Sequence, residues 1–235
     1  MLPIKIALSA VASGALAVAL APAAAASTPV ASWEMNDSAG ASTMADSSGN
    51  GLNGSVGSTV KTGVHVLGAV GFRFPFAGHS TLDPGRLVTV PLSASLNSPL
   101  NPGDSDFAIT WRMRTMQPFG NIIQKGQSAT PGGYFKIQAP NGIVQCLFRG
   151  AGGSRAVGSG RKLNDGAWHT ITCRRSSTGV TMTVDGGAPR SINGPTGTIS
   201  NRFPLSIGGK VSCNQTTVSC DYYVGDLDYV RIATG

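Results

Sequence analysis

The sequence predicts an all-β protein folded as a two-sheet sandwich, and three observations carry that reading. Glycine is abundant, 32 of 235 residues, while charged residues make up only 12%; many short strands joined by tight turns have this composition, and long surface helices do not. No stretch keeps apolar residues at i, i+3, i+4 and i+7 over three turns, the period an amphipathic helix requires. Instead, runs of period two alternate with clusters of Gly, Asn, Asp and Ser, which tolerate the backbone of tight turns.

Residues 1–26 stand apart. Lys5 precedes an apolar run from Ile6 to Leu20, followed by Pro22 and the small residues Ala23–Ala26. These are the parts of a secretory signal peptide, with an A-x-A cleavage site after Ala26. A membrane anchor would need about 20 apolar residues without an alanine-rich cleavage site, and no other segment is apolar enough to span a bilayer. The expectation is a secreted, extracellular protein whose single domain covers residues 27–235, long enough to bury a full core.

Within that domain, Val30–Met35 reads as a first strand with Ala31, Trp33 and Met35 on one face. A loop dense in Gly, Ser, Asn and Asp follows, Asn36–Ser58. Val70–Phe76 and Arg86–Val90 are the next strands, ended by Pro75 and Pro91. Phe107–Arg114 alternates cleanly, with Phe107, Ile109, Trp111 and Met113 inward. Gly120–Gly126, Tyr134–Gln138 and Ile143–Phe148 follow as strands. Trp168–Arg174 and Val180–Val184 flank the turn Ser176–Gly179 and form a β-hairpin with further turn clusters at Asn164–Gly166 and Asp185–Gly187. Pro204–Gly209 and a closing strand Tyr222–Ile232 finish the chain. Eleven or twelve strands without a helix make a two-sheet sandwich or jelly roll.

Four cysteines, Cys146, Cys173, Cys213 and Cys220, lie in the exported part. Their even number and compartment favour two disulfides, of which three pairings are formally open. Cys146 and Cys173 are both mid-strand and are expected as cross-strand neighbours; Cys213 and Cys220 bracket a short polar loop. A zinc site competes with this reading, but no C-x-x-C pair exists and His65, His79 and His169 lie far from the cysteines in sequence. The net charge of +7 is scattered, not clustered with aromatics as in nucleic-acid binders, so no nucleic-acid partner is expected; the charge gives solubility and a mild attraction to anionic surfaces.

Catalytic groups are scarce. Glycosidases flank the scissile bond with two carboxylates, yet Glu34 is the only glutamate, and no G-x-S-x-G elbow is present. His169 shares parity with Ile171 and Cys173 and reads as a packed, hydrogen-bonded residue. In Asp226-Leu227-Asp228-Tyr229-Val230-Arg231-Ile232, period two puts Asp226 and Asp228 on the face of Val230 and Ile232, where a carboxylate needs a partner.

Taken together, the Asp46-Ser47-Ser48-Gly49-Asn50-Gly51 loop, Phe107–Arg114, the Asp165-Gly166-Ala167-Trp168-His169 string, Val184-Asp185-Gly186 and Gly225–Ile232 resemble secreted bacterial laminin-G-like domains, members of the concanavalin A-like lectin/glucanase superfamily. The resemblance covers essentially all of residues 27–235 and implies an antiparallel concanavalin A-like jelly roll. The E-x-D-x-x-E motif of the superfamily's β-glucanases is missing. The resemblance further implies a structural Ca²⁺ held by Asp46, Asp228 and carbonyls of the Ser47–Asn50 loop; an arginine or backbone N–H partner without metal is the other reading. The expected function is a non-catalytic module for carbohydrate or another extracellular polymer, with Tyr134, beside Gly132-Gly133, as the aromatic expected to be exposed for stacking on a sugar. Phe119 is a further candidate, whereas Trp111 has core parity. A structural or protein-interaction domain of the cell envelope and a glucanase-type hydrolase are the alternatives.

Overall fold

The computed structural model describes residues 27–76, 83–128, 130–212 and 220–235. The expected signal peptide, His79 and Cys213 lie outside the described residues. In chain order the strands are β1 (Thr28–Trp33), β2 (Thr43–Met44), β3 (Gly54–Val56), β4 (Lys61–Val66), β5 (Ala69–Phe74), β6 (Val88–Val90), β7 (Phe107–Arg114) and β8 (Asn121–Lys125). They continue as β9 (Tyr134–Gln138), β10 (Ile143–Gly150), β11 (Gly153–Lys162), β12 (His169–Arg175), β13 (Gly179–Val184), β14 (Arg190–Asn193), β15 (Leu205–Ile207) and β16 (Gly225–Thr234). The first sheet runs β14-β13-β12-β7-β16-β5-β4, with β1 also paired to β16; the second runs β11-β10-β9-β8-β15-β6-β3-β2. The result is an all-β, antiparallel jelly-roll sandwich.

The alternation read from the sequence sets which residues meet between the sheets. Phe107, Ile109, Trp111 and Met113 are all buried on the inner face of β7, against Phe135, Ile137, Cys146 and Phe148 of the second sheet. The rings of Phe107, Phe135 and Phe148 pack with centroids 5.4 to 6.5 Å apart. The expected hairpin is β12–β13, with Ile171 opposite Val184 and Arg175 opposite Val180.

Cys146 and Cys173 are joined, with Cα atoms 6.3 Å apart. They are not neighbours across one ladder, however: Cys146 is on β10 of the second sheet and Cys173 on β12 of the first. Both point into the core, so the bridge staples the two layers together.

Five strands escaped the sequence reading. β2 and β3 are two and three residues long and lie inside the stretch taken as a loop. β4, β11 and β14 lie at or next to the sheet edges, where one-sided burial leaves a weak pattern. β11, Gly-Ser-Arg-Ala-Val-Gly-Ser-Gly-Arg-Lys, owes its conformation to pairing with β10 over Gly153–Lys162, not to β-branched side chains.

Candidate binding site

Three backbone segments converge beside the start of β9: residues 130–134, the β10–β11 turn at 149–152, and residues 196–201. They approach so closely that only glycine fits. Gly132 (φ +86°) and Gly133 (φ +78°) occupy left-handed backbone, and a Cβ on them would lie 1.8 Å from the Ser200 carbonyl oxygen and 2.2 Å from that of Arg149. A Cβ on Gly150 would lie 2.5 Å from the Thr198 oxygen. Above this junction is an open depression of about 370 Å³, lined by Thr130, Tyr134, Arg149, Thr198, Ser200 and the glycine backbone.

Two buried cations hold the wall made by residues 196–203. Arg175 donates from Nε to Thr196 Oγ1 (3.0 Å), from Nη1 to the Ser105 carbonyl (2.7 Å) and from Nη2 to that of Gly197 (2.7 Å). Lys125 is on the inner face of β8 and fully buried, and its ammonium donates to the carbonyls of Ser93 (2.9 Å), Asn201 (3.2 Å) and Phe203 (2.7 Å). Burial pushes the Lys125 ammonium down to about 8 and also lowers Arg175. Asn201 passes the constraint on, since its side-chain amide donates to the Gly133 carbonyl (2.9 Å). A chain of hydrogen bonds thus runs from a core ammonium to the floor of the depression.

Tyr134 lines this site but is only 8% exposed. The expectation of an exposed stacking ring is corrected: Tyr134 opens β9 and packs over Gly126, where a Cβ would lie 2.8 Å from its own, so only part of the side chain faces the depression. Phe119, 45% exposed, is the more open aromatic, and Trp111 is core.

The Asp46 loop has a different task. Asp46 Oδ1 accepts from the N–H groups of Ser32 (3.0 Å) and Ser48 (2.9 Å), and Oδ2 accepts from Leu52 N–H and the Ser48 hydroxyl, both at 2.9 Å. Asn50 and Ser48 donate to the Val30 carbonyl (2.9 and 3.2 Å), and Trp33 Nε1 donates to that of Leu52 (2.8 Å). The loop therefore caps the edge of β1 left free by its single partner, β16. Burial raises the Asp46 carboxyl, but the donated hydrogen bonds outweigh it and leave its pKa below the ordinary value.

Asp226 and Asp228 do not share the inner face with Val230 and Ile232. Opposite β7 the register slips between Leu227 and Tyr229, a bulge in which Asp228 is the extra residue, so Leu227, Val230 and Ile232 face the core while both carboxylates face outward. There Asp226 accepts from Arg73 (2.7 Å) and Arg114 (3.0 Å), and Asp228 from Arg112 (2.6 Å). The Arg112 guanidinium also lies 4.9 Å from the Trp168 ring centroid. This donor set does not fit a calcium ion, because Asp46 and Asp228 are both engaged by protein donors. Among the described residues no group of three or more His, Cys, Asp and Glu side chains could hold a metal.

His169 is buried and bridges two turns, with Nδ1 2.8 Å from Asp185 Oδ2 and Nε2 3.0 Å from Asp165 Oδ1. It thereby ties the entry to β12 to the turn after β13. Cys220 is buried; its expected partner Cys213 is outside the described residues.

The two antiparallel layers form a jelly-roll β-sandwich with an open depression beside the start of β9. The model of the Laminin G domain family matches residues 113–234, 122 of 235 residues and so just over half. The chain belongs to the Laminin G domain family. It is 26% identical over 104 residues to the sex hormone-binding globulin of Phodopus sungorus, a match covering 43% of this chain and 26% of that protein; the chain thus matches about a quarter of its curated relative. Among solved structures it resembles domain 4 of AbnA, a GH43 extracellular arabinanase from Geobacillus stearothermophilus, in complex with arabinotriose (TM-score 0.60, 12% identity, 89% of this chain and 93% of that one). It also resembles the botulinum neurotoxin serotype D binding domain (TM-score 0.57, 11% identity, 88% and 46%). At these identities the likeness is one of fold.

Proposed function

We propose that this protein is a secreted, non-catalytic binding module for carbohydrate or another polyhydroxylated extracellular polymer, bound at the depression beside Tyr134. The observation that carries the reading is the lining: hydroxyls of Thr130, Thr198 and Ser200, an arginine, part of a tyrosine and open glycine backbone surround about 370 Å³. Donors and acceptors fixed on a rigid rim suit a ligand that is itself a dense array of hydroxyls. The fold neighbour solved with arabinotriose supports the ligand class.

Hydrolysis has no equipment in this site, since no carboxylate lines it. Glu34, the only glutamate, is held by Arg231 at 2.6 and 2.9 Å, and that pairing keeps its carboxyl below the usual range, the opposite of what a general acid needs. No helix of the described residues is long and apolar enough to cross a membrane. A glycan array probed with wild type and with Thr198→Ala/Ser200→Ala tests the proposal. Saturable binding weakened by the double substitution is expected; binding that the substitution leaves unchanged, or release of reducing sugar from a bound polymer, would refute it.

A further inference from the structure

The arginines of the described residues fall into two sets. Nine have partners: Arg73, Arg112, Arg114, Arg161 and Arg231 form ion pairs, as does Arg86 with Asp83, and Arg155, Arg175 and Arg190 donate to carbonyls. The side chains of Arg149, Arg174 and Arg202 have neither a hydrogen bond nor an ion pair with any of the described residues. Arg149 lines the depression described above, and its backbone is held there. It closes the exposed end of β10, opposite Tyr134 and Ser154, and its carbonyl is packed against Gly133.

The depression has no acidic lining residue. The carboxylate bonded to a lining side chain is Asp104, which accepts from the Thr198 hydroxyl (2.6 Å) and is thereby engaged. Behind the wall, Lys125 donates to three backbone carbonyls, while Arg175 donates to Thr196 and to two carbonyls and has Asp104 and Asp106 as its charge neighbours. Arg149 is the lining cation whose side chain has no carboxylate partner among the described residues, and a guanidinium fork matches two oxygens of one anion in a way that a neutral hydroxyl cannot.

We propose that the depression selects saccharides bearing an anionic group, a carboxylate or a phosphate ester, and that Arg149 receives that group. The inference rests on the binding-module reading above and names its ligand class. Thr130, Ser200 and the glycine backbone then address the sugar hydroxyls around the anion.

The test is titration of the folded protein with polygalacturonate, glycerol-phosphate teichoic acid, dextran and arabinan, for wild type, Arg149→Ala, Arg149→Lys, and Arg174→Ala and Arg202→Ala as equal charge changes elsewhere. Arg149→Ala should weaken binding of the acidic polymers about tenfold or more, with partial rescue by lysine, and Arg174→Ala and Arg202→Ala should stay within about twofold. Preference for polygalacturonate assigns the carboxylate, and preference for teichoic acid the phosphate. Dextran or arabinan bound as tightly as the acidic polymers, and equally by Arg149→Ala, would overturn the anionic class while leaving a sugar-binding module in place. Equal losses from Arg174→Ala would reduce the effect to overall charge and overturn the role of Arg149. Failure of wild type to bind any polymer would remove both readings.

Discussion

Removing the bridge between the sheets should cost several kilocalories. Cys146 and Cys173 are separated by 27 positions, and cross-linking a loop of that length removes about 12 cal/mol/K of denatured-chain entropy, or about 3.5 kcal/mol at 25 °C on the loop-closure model. Unfolding a domain of this size has an entropy of roughly 0.44 kcal/mol/K near 60 °C, so Cys146→Ala/Cys173→Ala should melt about 8 °C below wild type. Both sulfurs lie in the core, and losing their packing adds to the deficit. The double variant isolates this bridge from any other in the chain, and scanning calorimetry under non-reducing conditions gives the shift. A double variant melting within about 2 °C of wild type would refute the reasoning, because it would mean that the linkage constrains neither the unfolded chain nor the packing of the layers.

Three further outcomes follow. Asp46→Ala strips the acceptor from the N–H groups of Ser32, Ser48 and Leu52 and should cost about 2 kcal/mol in urea unfolding, with Asp46→Asn recovering part; because the Asp46 pKa lies below its ordinary value, its contribution is present at neutral pH and lost as pH falls through that lowered pKa. Chelator should leave the melting temperature unchanged, since Asp46 and Asp228 already hold protein donors; a reproducible drop would show that a cation competes successfully for them. Lys125 titrates near 8 when folded but near 10.4 when unfolded, so the unfolded chain holds the extra proton between those values and stability should rise with pH across that window. Urea midpoints of wild type minus Lys125→Met, measured from pH 7 to 10.5, should show that slope, and a flat difference would refute it.

The features legible in the sequence were those governed by local alternation. Phe107–Arg114 and the β12–β13 hairpin follow from period two and turn chemistry, and the core face of β7 was assigned residue by residue. Two kinds of feature were not legible. The bulge at Asp228 adds one residue and reverses parity, and nothing in Asp226–Ile232 marks it; Arg73, Arg112 and Arg114, which fix the carboxylates outside, are distant in sequence. The depression beside Tyr134 is built from three segments more than sixty residues apart at the extremes, joined through backbone. The Gly132-Gly133 pair was the visible trace of that closeness, but it was read as a sign of exposure for Tyr134, whereas glycine here admits the Ser200 and Arg149 carbonyls.

The cationic residues show why a net charge of +7 does not make a uniformly basic surface. On the outer face of the first sheet, Arg73, Arg112, Arg114 and Arg231 are paired with Asp226, Asp228 and Glu34, Arg73 and Arg114 sharing Asp226. Arg155 and Arg190 reach across the adjacent edges of the two sheets, donating to the Asn193 and Gly158 carbonyls at 3.0 Å; this occupies groups that would otherwise template another strand. Lys125 and Arg175 are spent on the carbonyls that shape the rim. Positive charge is therefore mostly structural, and the small remainder without a partner includes Arg149 at the mouth of the depression. Binding through that one guanidinium should weaken with salt far less steeply than adhesion through a broad basic surface, since each released counterion contributes its own share to the salt slope.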